Sequence, residues 1–200
     1  GATGGSLSLT EIANKVAGGH ADTQMPILIM GLVFLVAGVA FKLGVVPFHM
    51  WVPDVYQGSP TPVTLMIAAA PKIAAFVMVV RLFIQGLPHL SIDWQQMFAV
   101  LAVLSLILGN LAAIRQKSYK RMLAYSGISH MGFVLLGFLS ARAGVDPYTT
   151  ALGVGHAFYY VIVYSITTLA SFGAILAMKK ATVDSRLLCP TVFLIINRSF

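Results

Sequence analysis

Lys42 and Lys72 place two primary amines inside apolar stretches long enough to cross a bilayer. Between them lies a proline-rich break, Pro47-Phe-His-Met-Trp-Val-Pro-Asp-Val-Tyr-Gln-Gly-Ser-Pro-Thr-Pro62. A charge at membrane depth is costly, by a few kcal/mol on insertion scales, so such a residue is rarely idle. An amine drawn away from water can also give up its proton more readily than a surface lysine, which suits a proton relay. Lys72 follows about ten residues of its stretch, roughly 15 Å down and near the midplane. Lys42 follows about sixteen, roughly 24 Å, and lies past the midplane beside the break. Pro71 has no N–H for the carbonyl of Ile67, which leaves a backbone acceptor beside the Lys72 amine for a water or the ammonium itself. Gly44 and Pro47 act similarly after Lys42. The competing readings are that Lys42 snorkels to the near interface and that the prolines only shape packing.

His130, about eight residues into its own apolar stretch, completes the candidate relay set of Lys42, Lys72 and His130. Ser126 lies one helical turn earlier, so one face carries a hydroxyl and an imidazole. Imidazole titrates near neutral pH and suits proton passage, whereas a histidine satisfied by a neighbouring helix is the plainer alternative. His156 invites the same two readings with less support, and His49 near the break reads as structural or interfacial.

Other chemistry is poorly served. The chain of 200 residues is 58% hydrophobic and 10% charged, with a mean hydropathy of +0.87. Soluble domains carry roughly 25% charged residues, so a soluble globular class is excluded. The net charge of +7 does not form a nucleic-acid-binding face. Arg115, Lys117, Lys120 and Arg121 fill one short loop, and Lys179 and Lys180 end an apolar run, as the positive-inside rule expects. A single cysteine, Cys189, offers no disulfide framework, metal site or iron–sulfur ligation. No phosphate-binding glycine motif occurs. The expectation is that this chain binds no cofactor or metal of its own.

The elements that must position these residues are helices. Apolar segments at about 26–46, 62–84, 96–114, 122–140 and 150–178 each meet the requirement of about 20 residues for a span. The expected fold is an all-α, polytopic transmembrane bundle of about five spans. The first span breaks near Gly44–Pro47 and resumes as a half-helix within Phe48–Gln57. Residues 1–25, polar and glycine-rich with Glu11, Lys15 and Asp22, read as an extramembrane loop. Residues 26–178 form the bundle, and 179–200 form an atypical tail, apolar in part but interrupted by Pro190 and too short to span. Lysine and arginine placement puts the loop 115–121, residues 179–180 and the break on the cytoplasmic side. The loops 85–95 and 141–149 and the N-terminal loop then lie outside, with Arg81 snorkelling to the outer interface. Trp51, Tyr56, Trp94, Tyr159 and Tyr160 fall near segment ends, where interfacial-belt roles suffice. Gly1 in place of an initiating methionine suggests an internal fragment or a processed start.

These residues together carry a resemblance. The run Phe41-Lys-Leu-Gly-Val-Val-Pro-Phe-His-Met-Trp-Val-Pro-Asp-Val-Tyr-Gln-Gly-Ser-Pro-Thr-Pro-Val63 resembles the signature of the antiporter-like membrane subunits of respiratory complex I. Ala70-Pro-Lys-Ile-Ala-Ala75 and Lys120-Arg-Met-Leu-Ala-Tyr-Ser-Gly-Ile-Ser-His-Met-Gly132 narrow it to the branch formed by subunit N of the bacterial NADH–quinone oxidoreductases. Sister subunits L and M, and subunits of multisubunit sodium/proton antiporters, are similar around the broken helix. The resemblance covers roughly residues 1–178.

It implies a fold of inverted helix repeats, of which this chain would hold the seventh to eleventh helices. Lys42 would match the lysine of the broken seventh helix and Lys72 the central lysine of the eighth, both on the proton path. The glutamate-bearing helix upstream and the second broken helix downstream lie beyond this chain's pattern. NADH, FMN, iron–sulfur clusters and quinone are expected in other subunits of the complex. The implied partners are the other membrane subunits, the lipid bilayer, protons and ordered water, in the bacterial inner membrane. Two alternatives stay open: a multisubunit cation/proton antiporter subunit, and a purely structural membrane scaffold.

Overall fold

The computed structural model of the protein describes residues 8–17, 25–141 and 146–196, with side chains to residue 178 apart from those of residues 15 and 17. Among the described residues the fold is helical. The α-helices are α1 (Leu9–Ala17), α2 (Met25–Leu43), α3 (Trp51–Gly58), α4 (Thr61–Val79), α5 (Ser91–Ile114), α6 (Tyr119–Ser140) and α7 (Pro147–Ile196). A π-helical turn, Val80–Gln85, prolongs α4, and a 3₁₀ turn, Pro88–Leu90, leads into α5. Among the described residues five segments are long and apolar enough to cross a membrane: Met25–Leu43, Thr61–Gln85, Pro88–Ile114, Tyr119–Ser140 and Pro147–Met178. Four lie within about three residues of the expected spans, and the third starts earlier than expected, at Pro88 rather than near residue 96.

Two regions depart from the sequence reading. Within the stretch read as a loop, Leu9–Ala17 forms a helix with one apolar edge, and Ile12 and Val16 turn towards the bundle. The tail that the sequence left unplaced continues α7 as helix to Ile196, through Pro190. An interior proline removes one hydrogen bond and bends a helix, but neighbouring turns can carry the helix past it. Residues 1–7, 18–24, 142–145 and 197–200 lie outside the described residues, and Asp22 and Arg142 with them.

Helix ends follow local chemistry. Pro62 sits in the first turn of α4, where its missing N–H costs nothing. Asp146 caps α7: its Oδ1 accepts from the N–H of Tyr148 at 3.0 Å, ahead of Pro147 at the first helical position.

The packing has two centres. The larger draws Leu32, Val36 and Val39 of α2, Phe76 of α4, Trp94 and Phe98 of α5 and Phe138 of α6 into one cluster, joined by α7 through Val161 and Tyr164. The smaller sits under the break, where Val46, Val52 and Tyr56 meet Ala68, Ile128 and Phe172. Helices approach closely where side chains are small. A Cβ built on Gly109 of α5 would lie 2.8 Å from the backbone nitrogen of Ser129 on α6. Close approach through small residues is how membrane helices gain contact when lipid is as apolar as leucine.

The aromatic belt reading is corrected for most of its members. Trp94 and Tyr56 are core residues, and Trp94 satisfies its indole N–H on the carbonyl of Leu87 at 3.2 Å. Only Tyr159 among the five is largely exposed. A short distance from a segment end does not place a ring at an interface when a neighbouring helix or half-helix lies over it.

Candidate functional site: a broken helix held by neighbouring side chains

The first span stops where the sequence removes its hydrogen bonds. The carbonyl of Leu43 would bond the N–H of residue 47, which is proline and has none. Gly44 turns the chain at φ +74°, a left-handed conformation that favours glycine. A Cβ there would also lie 2.6 Å from Val52 Cγ2 of α3 and 3.6 Å from Lys72 Nζ. The helix ends by drawing the N–H groups of Gly44 and Val45 onto the carbonyl of Ala40, at 2.9 and 3.0 Å. After an irregular turn the chain resumes as α3.

Such a break leaves backbone groups without helical partners, and in an apolar environment each must be met from elsewhere. Three are met by side chains. The carbonyl of Phe41, which keeps only a tight-turn bond from the N–H of Gly44 at 3.1 Å, also accepts from the indole Nε1 of Trp51 at 3.1 Å. The N–H of Val46 donates to Ser105 Oγ on α5 at 2.9 Å. The carbonyl of Leu43 accepts from Lys72 Nζ on α4.

Lys72 is therefore placed as its sequence position suggested, buried with 3% of its surface exposed. Its acceptor differs from the expected one. The amine reaches across to Leu43, 29 residues earlier in the chain, rather than to the carbonyl freed by Pro71 on its own helix. Pro47, rather than Pro71, frees the acceptor that the amine uses.

Lys42 lies beside the break on the exposed face of the described bundle. The buried stripe of α2 runs through Leu32, Val36, Val39 and Leu43, and a residue next to Leu43 points about 100° away from it. Lys42 shares its outer face with Gly31, Leu35 and Gly38, all exposed.

His130 lies on α6, half-buried, with Nδ1 2.7 Å from the hydroxyl of Tyr160 on α7. With Ser126, Tyr164, Thr167, Thr168 and Ser171 it lines a cavity of about 140 Å³ between α6 and α7. Hydroxyl and imidazole walls with that volume give room and partners for several water molecules. Among the described residues no hydrogen bond joins this cavity to Lys72, so the structure brings together Lys72 with the break and His130 with Tyr160, as two separate clusters. His156 is exposed, and His49 sits under the break against Tyr125, with ring centres 6.4 Å apart. Among the described residues no group of acids, histidines and cysteines is arranged to hold a metal.

At the far end of the break, α3 is tied to the start of α6. Arg121 reaches both Asp54 Oδ1 at 2.8 Å and Gln57 Oε1 at 3.0 Å, and Lys120 donates to the carbonyl of Ser59 at 2.9 Å. Two of the basic residues read as topology signals thus also fasten the half-helix.

A buried lysine of one transmembrane helix thus bonds the carbonyl that ends its broken neighbour. The model of the family described as NADH:quinone oxidoreductase/Mrp antiporter, transmembrane, matches residues 2–195. The chain belongs to that family. Similar proteins include the NADH-quinone oxidoreductase subunit N of Herminiimonas arsenicoxydans, 59% identical over 182 residues. That match covers 90% of this chain and 36% of the relative. The subunit N of Polaromonas naphthalenivorans is 53% identical over 185 residues, covering 92% and 36% respectively. That of Azoarcus sp. (strain BH72) is 55% identical over 181 residues, covering 90% and 36%. The chain thus spans about a third of the length of the curated relatives it matches. Within the family, the match extends over both the broken helix and the cavity between α6 and α7.

Proposed function

We propose that this chain is the middle of a membrane subunit of a proton-pumping NADH–quinone oxidoreductase of the bacterial inner membrane, and that it carries part of the proton path. The observation that carries this reading is the Lys72 amine, buried within an apolar helix and bonded to the open carbonyl of the break. A buried amine held by a single backbone acceptor can release and regain a proton with little motion. Its carbonyl partner ends α2, at the edge of the irregular turn that leads to α3.

In this reading the cavity beside His130 gives protons access from the cytoplasmic side, through water held by Ser126, Thr167 and Ser171. Lys72 is the central station. Lys42 faces helices supplied by the remainder of the polypeptide. Electron transfer from NADH to quinone takes place in other subunits, and its field shifts the protonation of these groups. Moving one charge through 100 mV takes about 2.3 kcal/mol, which sets the scale of the field change the complex must deliver at Lys72. The chain itself contributes no redox chemistry to the enzyme.

The test is Lys72→Ala in the assembled complex, with NADH–quinone turnover and proton pumping both measured. Loss of pumping with the complex still assembled is expected, and wild-type values for both would remove Lys72 from the path.

The family description also names the Mrp antiporter, and this favours one second reading, a cation/proton antiporter subunit. Transport that persists without NADH or quinone, in a purified complex lacking iron–sulfur proteins, would select it.

A further inference from the structure

Of the side chains that hold the break, the one supplied by α5 has no part in the proton path proposed above. Between Asp93 and Arg115, α5 carries no titratable residue. Ser105 lies in the middle of this stretch and is fully buried. Its hydroxyl donates to the carbonyl of Leu101 one turn back, at 2.6 Å. That commits the hydrogen and leaves the oxygen only lone pairs to offer. The N–H of Val46, itself buried, fills one of them at 2.9 Å, from 59 residues away in sequence.

The match is specific in polarity. An uninterrupted α2 would send the Val46 N–H to the carbonyl of Lys42, but the left-handed turn at Gly44 carries it away. The break then presents a buried donor on one side, at Val46, and a buried acceptor on the other, at Leu43. α5 answers the first with an acceptor and α4 answers the second with a donor. A serine that bonds back to its own helix is polarised by that bond and accepts more strongly.

We infer that Ser105 is a positioning residue for the relay: by holding the Val46 N–H it fixes the turn after Gly44 and so keeps the Leu43 carbonyl on the Lys72 amine. This rests on the proposed role of Lys72. Ser105 touches no transferred proton. It acts through the backbone of Gly44 and Val45, whose own N–H groups bond the carbonyl of Ala40. Without the serine the buried Val46 N–H has no partner, and the turn shifts to find one, carrying the Leu43 carbonyl off the line of the amine.

The experiment compares Ser105→Ala, Ser105→Thr and Lys72→Ala in the assembled complex. Three quantities are read: the amount of complex formed, protons pumped per NADH oxidised, and backbone amide exchange in the segment around 43–47. For Ser105→Ala we expect normal assembly, a several-fold fall in protons per NADH, and exchange around Val46 faster by about tenfold or more, as loss of a buried partner implies. Ser105→Thr keeps the hydroxyl and restores both. If Ser105→Ala pumps and exchanges as wild type while Lys72→Ala does not pump, the inference fails and the proposed function stands. A loss confined to assembly, with protons per NADH unchanged, makes Ser105 a packing residue and also overturns it. Wild-type pumping by Lys72→Ala overturns both readings.

Discussion

The amine of Lys72 donates a hydrogen bond to the carbonyl of Leu43, the last helical residue before the break. That carbonyl is open because Pro47 occupies the position whose N–H would close it. The proline thus acts at a distance of four residues, by denying a partner to the group the lysine uses. Pro47→Ala restores a competing N–H, and α2 can then extend through the turn. We expect the assembled complex to form but to pump poorly, with protons per NADH falling several-fold. Pumping at the wild-type ratio would show that the relay does not need this carbonyl.

Gly44 faces two separate demands, and a single substitution violates both. Its left-handed φ of +74° strains any residue with a Cβ, by roughly 1–2 kcal/mol. A Cβ would also meet Val52 Cγ2 at 2.6 Å. Gly44→Ala is therefore expected to lower the yield and thermal stability of the complex. Val52→Ala in the same chain should return part of the loss, because it removes the clash and leaves the backbone strain. Full recovery in the double variant would mean that the backbone term is negligible.

Most of the fold was readable because spans are written in long apolar runs, and a break is written in Gly44 and Pro47. Lys72 was legible because ten apolar residues on one side leave a lysine no short path to water. Lys42 was not, since depth along a helix says nothing about which way a residue faces when the helix is apolar all round. The α2 stripe through Val36, Val39 and Leu43 has no polar counterpart to reveal it. Ser105 escaped for a related reason: a lone serine in an apolar helix usually bonds its own backbone, and this one does, before it also serves the break. The only sequence signal was the unmatched N–H at Val46, which becomes visible once the turn at Gly44 is counted as a loss of donors as well as of acceptors.

His130 and Tyr160 make a separable test of the access route. If protons reach the path through the cavity between α6 and α7, His130→Leu removes a titratable wall and lowers the pumping rate by about a hundredfold, the low end of the range for a positioned proton-transfer group. Tyr160→Phe removes only the hydroxyl at 2.7 Å from His130 Nδ1 and should cost less. Stopped-flow measurement of proton uptake in membrane vesicles distinguishes the two. An unchanged rate in His130→Leu would make the histidine a packing residue and move the access route elsewhere.

The contact between α5 and α6 predicts a purely structural effect, which serves as a control for the others. Gly109 leaves no space for a Cβ: backbone nitrogen and Cβ of Ser129 lie 2.8 and 3.0 Å from where it would stand. Backbone on a packed helix cannot yield as a side-chain tip does, so Gly109→Ala must push α5 and α6 apart, at a cost of about 1–3 kcal/mol for overpacking. The two helices carry Ser105 and His130, yet neither residue is altered. The expected result is less assembled complex and a lower melting temperature, with protons per NADH unchanged in whatever complex forms. A fall in that ratio without loss of assembly would mean that the spacing of α5 and α6 tunes the proton path itself.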